Sequence, residues 1–384
     1  MSQEDGAIGG DGGDKFILPR DPVELALAEL WFEVLEVVEP ISVRENFFEL
    51  GGTSLQLLSV AEGVEARLGR KLPLAAFFHH ATIESLGGVV REQGPPAFES
   101  PLLTIRAREG NPPLFLFHDL SGDVTYAYLV AHLLGPSWSV YGFQPPGLYN
   151  DREPQQDVGE LVDEYVQELL AAQPEGPYAL GGHCTGGLLA AEAASRLVAA
   201  GHEVAPLALF SSLPWSAAGR AQMGSVTDRT WALYHWLDPH AEPIPYERFA
   251  ALGEEERYAY LVEGWEALDM VPLGAGVPFL RRYADMYIQS TAAMARHRPS
   301  RYDGPACVFQ PSEPVIEGEE VPSPAEVRQR WLEVVGCDVE VQVVSGNHYS
   351  MLERELIEGL VARVRALLAD GPGAPARAAT PAPA

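Results

Sequence analysis

Cysteine, positive charge and long apolar runs are all scarce in this sequence, and each scarcity excludes something. Three cysteines, Cys184, Cys307 and Cys337, stand among 384 residues. They form no even disulfide framework and no metal-ligand spacing, so no metal is expected, and the compartment is expected to be reducing and cytoplasmic. Lysine and arginine number 26 against 54 aspartates and glutamates, a net charge of -28. That balance repels nucleic acid and anionic membrane surfaces, so neither is expected as a partner. No run of about 18 apolar residues is present to span a bilayer. Residues 1–14 have neither the basic nor the apolar region of a signal peptide. Hydrophobic residues, in contrast, make up 47% of the chain, enough for packed cores, and the length predicts two or three domains.

Composition divides the chain. Residues 1–16 are rich in Gly and Asp, residues 370–384 in Pro, Ala and Gly, and both are expected to be disordered tails. Residues 17–93 read as a small helical domain. Residues 94–100, Gly94-Pro95-Pro96-Ala97-Phe98-Glu99-Ser100, read as a short stiffened linker. From 101 to 369, strand-like and helix-like segments alternate, the pattern of a mostly parallel sheet covered by helices.

In the helical domain, Val23, Leu25, Leu27, Leu30, Trp31, Val34, Leu35 and Val38 predict a helix with one broad apolar face, punctuated by Pro22 and Pro40. Next comes Phe47-Phe48-Glu49-Leu50-Gly51-Gly52-Thr53-Ser54-Leu55. The glycine pair allows a tight turn and puts Ser54 in the first turn of a helix running to about Leu68. Thr82 is placed to cap a last helix. Over about residues 20–93 this string and its four-helix pattern resemble the carrier (thiolation) domains of nonribosomal peptide and polyketide synthases. The resemblance implies a 4′-phosphopantetheine arm on Ser54, attached by a phosphopantetheinyl transferase. A helix start also suits a phosphodiester electrostatically. The competing reading makes Ser54 an N-cap only.

The second domain is organised around a turn. Residues 177–190 read as strand, sharp turn and helix, with Gly182-His183-Cys184-Thr185-Gly186 at the apex. This is the G-x-S-x-G spacing of a nucleophile elbow with sulfur in place of oxygen. The flanking glycines let backbones pass closely around a strained nucleophile. Residues 113–118 predict a buried strand, and residues 138–143, 204–210, 306–310 and 339–344 predict others. Residues about 215–290 turn helical and aromatic, with Trp231, Tyr234, Trp236, Trp265, Tyr283 and Tyr287. They are expected to form a lid over the carboxyl edge of the sheet. The elbow, Phe117-His118-Asp119-Leu120-Ser121-Gly122, residues 300–305 and Gly346-Asn347-His348-Tyr349 resemble the type I thioesterase domains that end peptide and polyketide synthase lines. The expected architecture is thus a small four-helix carrier domain followed by an α/β-hydrolase fold with a helical lid.

That resemblance implies roles. Cys184 is the nucleophile and His348, after a late strand, its base. His183, beside the nucleophile, reads as a wall residue, and His118 belongs to the loop after the first strand. Backbone N–H groups of Thr185 and Leu120 would form the oxyanion hole. Domains of this type place their acid just after the strand that follows the elbow helix, and here Ser211 occupies that place. Glu313, after the next strand, is an alternative acid. Three arrangements stay open: Glu313 orients His348, Ser211 orients it as a neutral group, or a Cys–His pair acts without a carboxylate. The last relies on a thiol whose pKa falls beside an imidazolium and a helix N-terminus.

The expected activity is that of a thioesterase or acyltransferase in natural-product biosynthesis. An acyl or peptidyl thioester passes to Cys184 and leaves by hydrolysis, cyclisation or transfer to a nucleophile. Two other readings are a shuttle moving aminoacyl or acyl groups between carrier domains, and a catalytically inactive docking protein. No adenylation or condensation segment is read, so loading by upstream synthase modules or by a separate adenylation or condensation enzyme is expected.

Overall fold

The first helix begins as its sequence suggests. The Asp21 carboxylate accepts the Glu24 N–H at 2.7 Å and proline occupies the first helical position of α1, Pro22–Leu35. The computed structural model describes residues 16–369 apart from 38, 93–99, 151, 227, 241–242, 273–274, 317 and 337–338. The tails expected to be disordered lie outside the described residues, Phe16 excepted, as do Cys337 and all of the linker but Ser100. The helical unit is completed by α2 (Gln56–Leu68), α3 (Leu74–His79) and α4 (Ile83–Glu92). The Thr82 hydroxyl accepts the Ser85 N–H at 3.2 Å, the expected cap of α4.

Residues 102–369 build a seven-stranded sheet. Its strands are β1 (Leu102–Arg106), β2 (Pro113–Phe117), β3 (Ser139–Phe143), β4 (Ala179–His183), β5 (Leu207–Phe210), β6 (Ala306–Pro311) and β7 (Val339–Val344). Their order is β1-β3-β2-β4-β5-β6-β7, and all pairs are parallel except β1 with β3. The helices that follow in the chain are α5 (Ala127–Leu134), α6 (Val158–Ala172) and α7 (Gly186–Ala199). The inserted α8 (Ala217–Gly224), α9 (Arg229–Leu237), α10 (Tyr246–Ala251), α11 (Glu254–Ala267) and α12 (Gly276–Arg296) come next, then α13 (Pro324–Trp331) and α14 (Arg354–Ala369). Side chains on β2 alternate between faces, as a strand requires. Leu114 and Leu116 join a core with α5 and α14, whereas Phe115 and Phe117 join one with α6 and α7. Of the lid aromatics, Tyr258 and Trp265 are buried with Leu233, Leu237, Phe249 and Leu261 in a separate core, with Tyr234, Trp236, Tyr283 and Tyr287 packed against it.

The core on the α5/α14 face continues into the helical unit through Leu27, Leu30, Trp31 and Val60. Polar groups stitch the same contact. The Ile41 N–H donates to the Tyr128 hydroxyl at 3.0 Å, and Arg106 lies over the Phe32 ring, 4.5 Å from its centroid. Arg106 donates to the Ala131 carbonyl at 2.8 Å and stands 3.8 Å from Glu29. Burial outweighs this guanidinium and pushes the Glu29 carboxyl up to about 7. A carboxyl raised on folding adds stability below its unfolded pKa and loses it as pH rises through its folded one. Between pH 5 and pH 8 this amounts to about 3 kcal/mol. Glu29→Gln should therefore unfold at a higher temperature than the parent at pH 8, with the gap closing at pH 5. A gap independent of pH in thermal unfolding would rule out this role for Glu29.

Candidate active site

Strand β4 ends in the elbow. Cys184 has φ 55°, the left-handed region that a non-glycine residue occupies only when its surroundings impose it. The constraint is visible. A Cβ on Gly182 would stand 2.4 Å from the Gly186 carbonyl carbon, and one on Gly186 2.3 Å from the Phe117 carbonyl oxygen. Only glycines let β4, α7 and β2 approach this closely. The Cys184 N–H donates to the Phe210 carbonyl at 3.0 Å, and the buried Ser212 hydroxyl donates to the Cys184 carbonyl at 2.6 Å. The thiol is thus held at the head of α7, where the backbone N–H groups of Thr185 and Leu120 favour its charged form.

His348 reaches the same place from the loop after β7. Gly346 turns the chain at φ 90°, and the Asn347 side chain accepts the N–H groups of Tyr349 and Ser350, each at 2.9 Å. The His348 Nδ1 lies 2.7 Å from the Ser211 hydroxyl oxygen. Ser211 follows β5 at φ 41°, a backbone setting that also tolerates Asp and Asn. Of the three arrangements, this contact is the geometry that the neutral orienter calls for. The Glu313 reading is corrected: its side chain is exposed, and among the described residues Nδ1 of His348 pairs with Ser211 instead.

The adjacent histidine also departs from expectation. His183 is buried and does not merely line a wall. Its Nε2 lies 2.8 Å from the His348 carbonyl oxygen, its Nδ1 lies 3.7 Å from an Asp119 oxygen, and its ring centroid is 4.4 Å from that of His348. Asp119, part of a quoted motif but not singled out for a role, accepts from the N–H of Ser121 at 2.8 Å with its other oxygen. His118 is instead buried against the Asp119 carbonyl at 2.6 Å and the Tyr165 hydroxyl at 2.9 Å, away from the pair.

The electrostatics correct one further expectation. Burial, with the Asp119 carboxylate adding to it, pushes the Cys184 thiol up to about 12. Burial and the neighbouring His183 push His348 down to about 4. The resting pair is a neutral thiol and a neutral imidazole, not a preformed thiolate and imidazolium. The helix N-terminus is present, but desolvation outweighs it. Burial raises the Tyr287 and Tyr349 hydroxyls, with Asp119 and Cys184 adding to it, and the Tyr349 ring lies 4.9 Å from that of His348. Tyr287 was in view among the lid aromatics and Tyr349 within a quoted motif, but neither was given a role, because lid and loop meet only in three dimensions.

In the helical unit, Ser54 is exposed two residues before α2. Leu55 and Leu58 beside it are 75% and 45% exposed, and Phe78 is 43% exposed. An accessible hydroxyl framed by uncovered apolar groups fits a covalently attached arm and the enzyme that attaches it.

Comparison with known proteins agrees with both halves. Residues 26–90 match the phosphopantetheine attachment site family and residues 112–238 the thioesterase domain family. A probable nonribosomal peptide synthetase of Salinispora arenicola is 28% identical over 348 residues, which is 88% of this chain and 4% of that protein. Indigoidine synthase of Dickeya dadantii is 32% identical over 196 residues, 51% of this chain and 13% of that protein. The chain thus spans a small part of the curated relatives it matches. A crystal structure of a holo four-domain nonribosomal peptide synthetase bound to AMP and glycine aligns with a TM-score of 0.75 at 23% identity, over 93% of this chain and 27% of that one. The chain pairs a phosphopantetheine-attachment carrier domain with a thioesterase domain of α/β-hydrolase fold. Among the described residues no helix is long and apolar enough to cross a membrane.

Proposed function

We propose that this chain acts in natural-product biosynthesis of the nonribosomal-peptide type, with Cys184 accepting acyl or peptidyl groups from a thioester and passing them to a nucleophile. Ser54 would hold 4′-phosphopantetheine, which when bound supplies a terminal thiol for presenting acyl groups. The partners are a phosphopantetheinyl transferase and the synthase enzymes that load the arm.

One observation carries the reading: a thiol in a strained elbow at φ 55°, next to a histidine whose ring stands 4.4 Å from that of His348, an imidazole that burial keeps unprotonated. As sulfur attacks the thioester carbonyl carbon, His348 takes the thiol proton. The N–H groups of Thr185 and Leu120 hold the developing oxyanion, each worth about 3–4 kcal/mol in the transition state. The bond to the departing sulfur breaks, and His348 returns the proton to it. In the second half His348 deprotonates water, an amine or a hydroxyl, which attacks the Cys184 thioester and frees the thiol. Exchange between thioesters is nearly isoenergetic, and the acyl-cysteine stays activated. That favours transfer to a nucleophile alongside hydrolysis.

The test uses the full chain with Ser54→Ala, which removes the other attachment point. Exposure to an acyl N-acetylcysteamine thioester should add one acyl group to the intact mass, and adding Cys184→Ala should abolish it. An adduct that persists without Cys184 defeats the proposal. Chasing the loaded protein with a second holo carrier separates a shuttle from a release enzyme: transfer to that carrier marks the first, product in solution without it the second.

A further inference from the structure

The Ser211 hydroxyl is a weaker anchor for His348 than a carboxylate, yet a half-buried carboxylate stands in this site by another route. Asp119 immediately precedes Leu120, the oxyanion donor, and His183 immediately precedes Cys184. The Nε2 of His183 is 2.8 Å from the carbonyl oxygen of His348, and a carbonyl only accepts, so Nε2 carries a proton. The Nδ1 faces an Asp119 oxygen at 3.7 Å. A bare ring nitrogen there would set a lone pair against a carboxylate. A protonated Nδ1 resolves the conflict and makes His183 a donor at both nitrogens.

We propose that Asp119 and His183 form an ion-paired dyad that positions His348 through its backbone carbonyl, tying the oxyanion loop, the elbow and the base loop together in place of an acid at position 211. Asp119 and His183 are positioning residues, acting through Leu120, Cys184 and His348. The Asp119 carboxyl is held below its usual range; burial opposes this, and the nearby His183 with the hydrogen bonds from Ser121 prevails. An opposite charge at this distance favours the charged partner by about one to two pH units, which corresponds to about ten- to a hundredfold in rate if lost. Other charged or titratable groups surround the dyad. Asp123 lies in the loop after β2, Tyr126 at the head of α5 receives the His183 N–H at 3.2 Å, and Tyr283 and Tyr287 sense Asp119 from α12. His348, Tyr349 and Cys184 complete the set.

This inference rests on Cys184 and His348 being the reacting pair, so its test includes a readout independent of turnover. In the full holo chain, nitrogen-15 NMR of the His183 ring should show an imidazolium at neutral pH. Asp119→Asn should remove the proton signal at Nδ1. In kinetics the same substitution should lower kcat for acyl release ten- to a hundredfold with KM little changed, and move the alkaline limb of the rate profile to lower pH. Adding Ser211→Asp, which gives His348 a carboxylate directly at Nδ1, should recover most of the loss. A neutral His183 in the parent, an Asp119→Asn variant with parental rate and profile, or a double variant no better than the single one would each overturn the dyad. If the NMR result holds while neither parent nor variant is acylated at Cys184, the dyad stands and the reaction assigned to the site falls.

Discussion

Replacing Cys184 by serine should slow acyl release by about a thousand- to ten-thousandfold. A serine hydroxyl is a much weaker acid than a thiol, and its attack depends on a base held in one tautomer and stabilised as it charges. In serine enzymes, making the acid neutral while keeping its geometry costs about 10⁴ in kcat. Here the partner of the His348 Nδ1 is already a neutral hydroxyl at 2.7 Å. Sulfur tolerates that arrangement because its proton leaves more easily and its nucleophilicity is intrinsically high. The double change Cys184→Ser with Ser211→Asp should regain at least a tenth of the parental rate, since φ 41° at position 211 accommodates aspartate. Single-turnover release from a loaded carrier measures both variants. If the single serine variant releases product as fast as the parent, sulfur is incidental and the significance given to Ser211 falls with it.

His348→Ala should abolish acylation of Cys184 to within about a thousandth of the parental rate, because the thiol then loses the group assigned to take its proton. The pH profile carries the finer signature. The His348 pKa is lowered to about 4, so its base form is already dominant at pH 5. Acylation should rise with pH through about 4 and show no inflection near 6.5, where an ordinary imidazole titrates. Alkylation of Cys184 by iodoacetamide, followed at the peptide level to separate it from buried Cys307, should climb about tenfold per pH unit from 7 to 10. That slope is the mark of a thiol raised to about 12. A flat alkylation profile at neutral pH would mean a preformed thiolate and would overturn the neutral resting pair.

Both expectations turn on features legible in the sequence to different degrees. The elbow was readable because glycines at 182 and 186 around a strained nucleophile follow from close backbone approach, and both glycines meet β2 or α7 backbone as that requires. The first helix and the cap at Thr82 were readable because propensity and capping are local. Ser211 was recognised as an odd residue in an acid's place, but that its hydroxyl meets the His348 Nδ1 depends on β5 and β7 ending side by side around β6. Glu313 stood at an equally plausible spacing, and its exposure decided against it.

Asp119 and His183 show the remaining gap. Each was in view as part of a motif, yet their pairing requires β2 and β4 to be neighbours and the loop after β7 to fold over both. The raised thiol and lowered imidazole were likewise outside the reach of residue order. A thiol at a helix start is expected to be acidic, but desolvation and an anionic neighbour reverse the sign. What the amino-acid sequence alone determined was the local chemistry: a carrier serine on a glycine turn, a cysteine in an elbow, a histidine on a late loop and a serine where an acid would stand. What only the tertiary structure decided was which of these groups meet and in what charge state. Burial and distance set those energies, and both arise from strand order and packing between segments far apart in the chain.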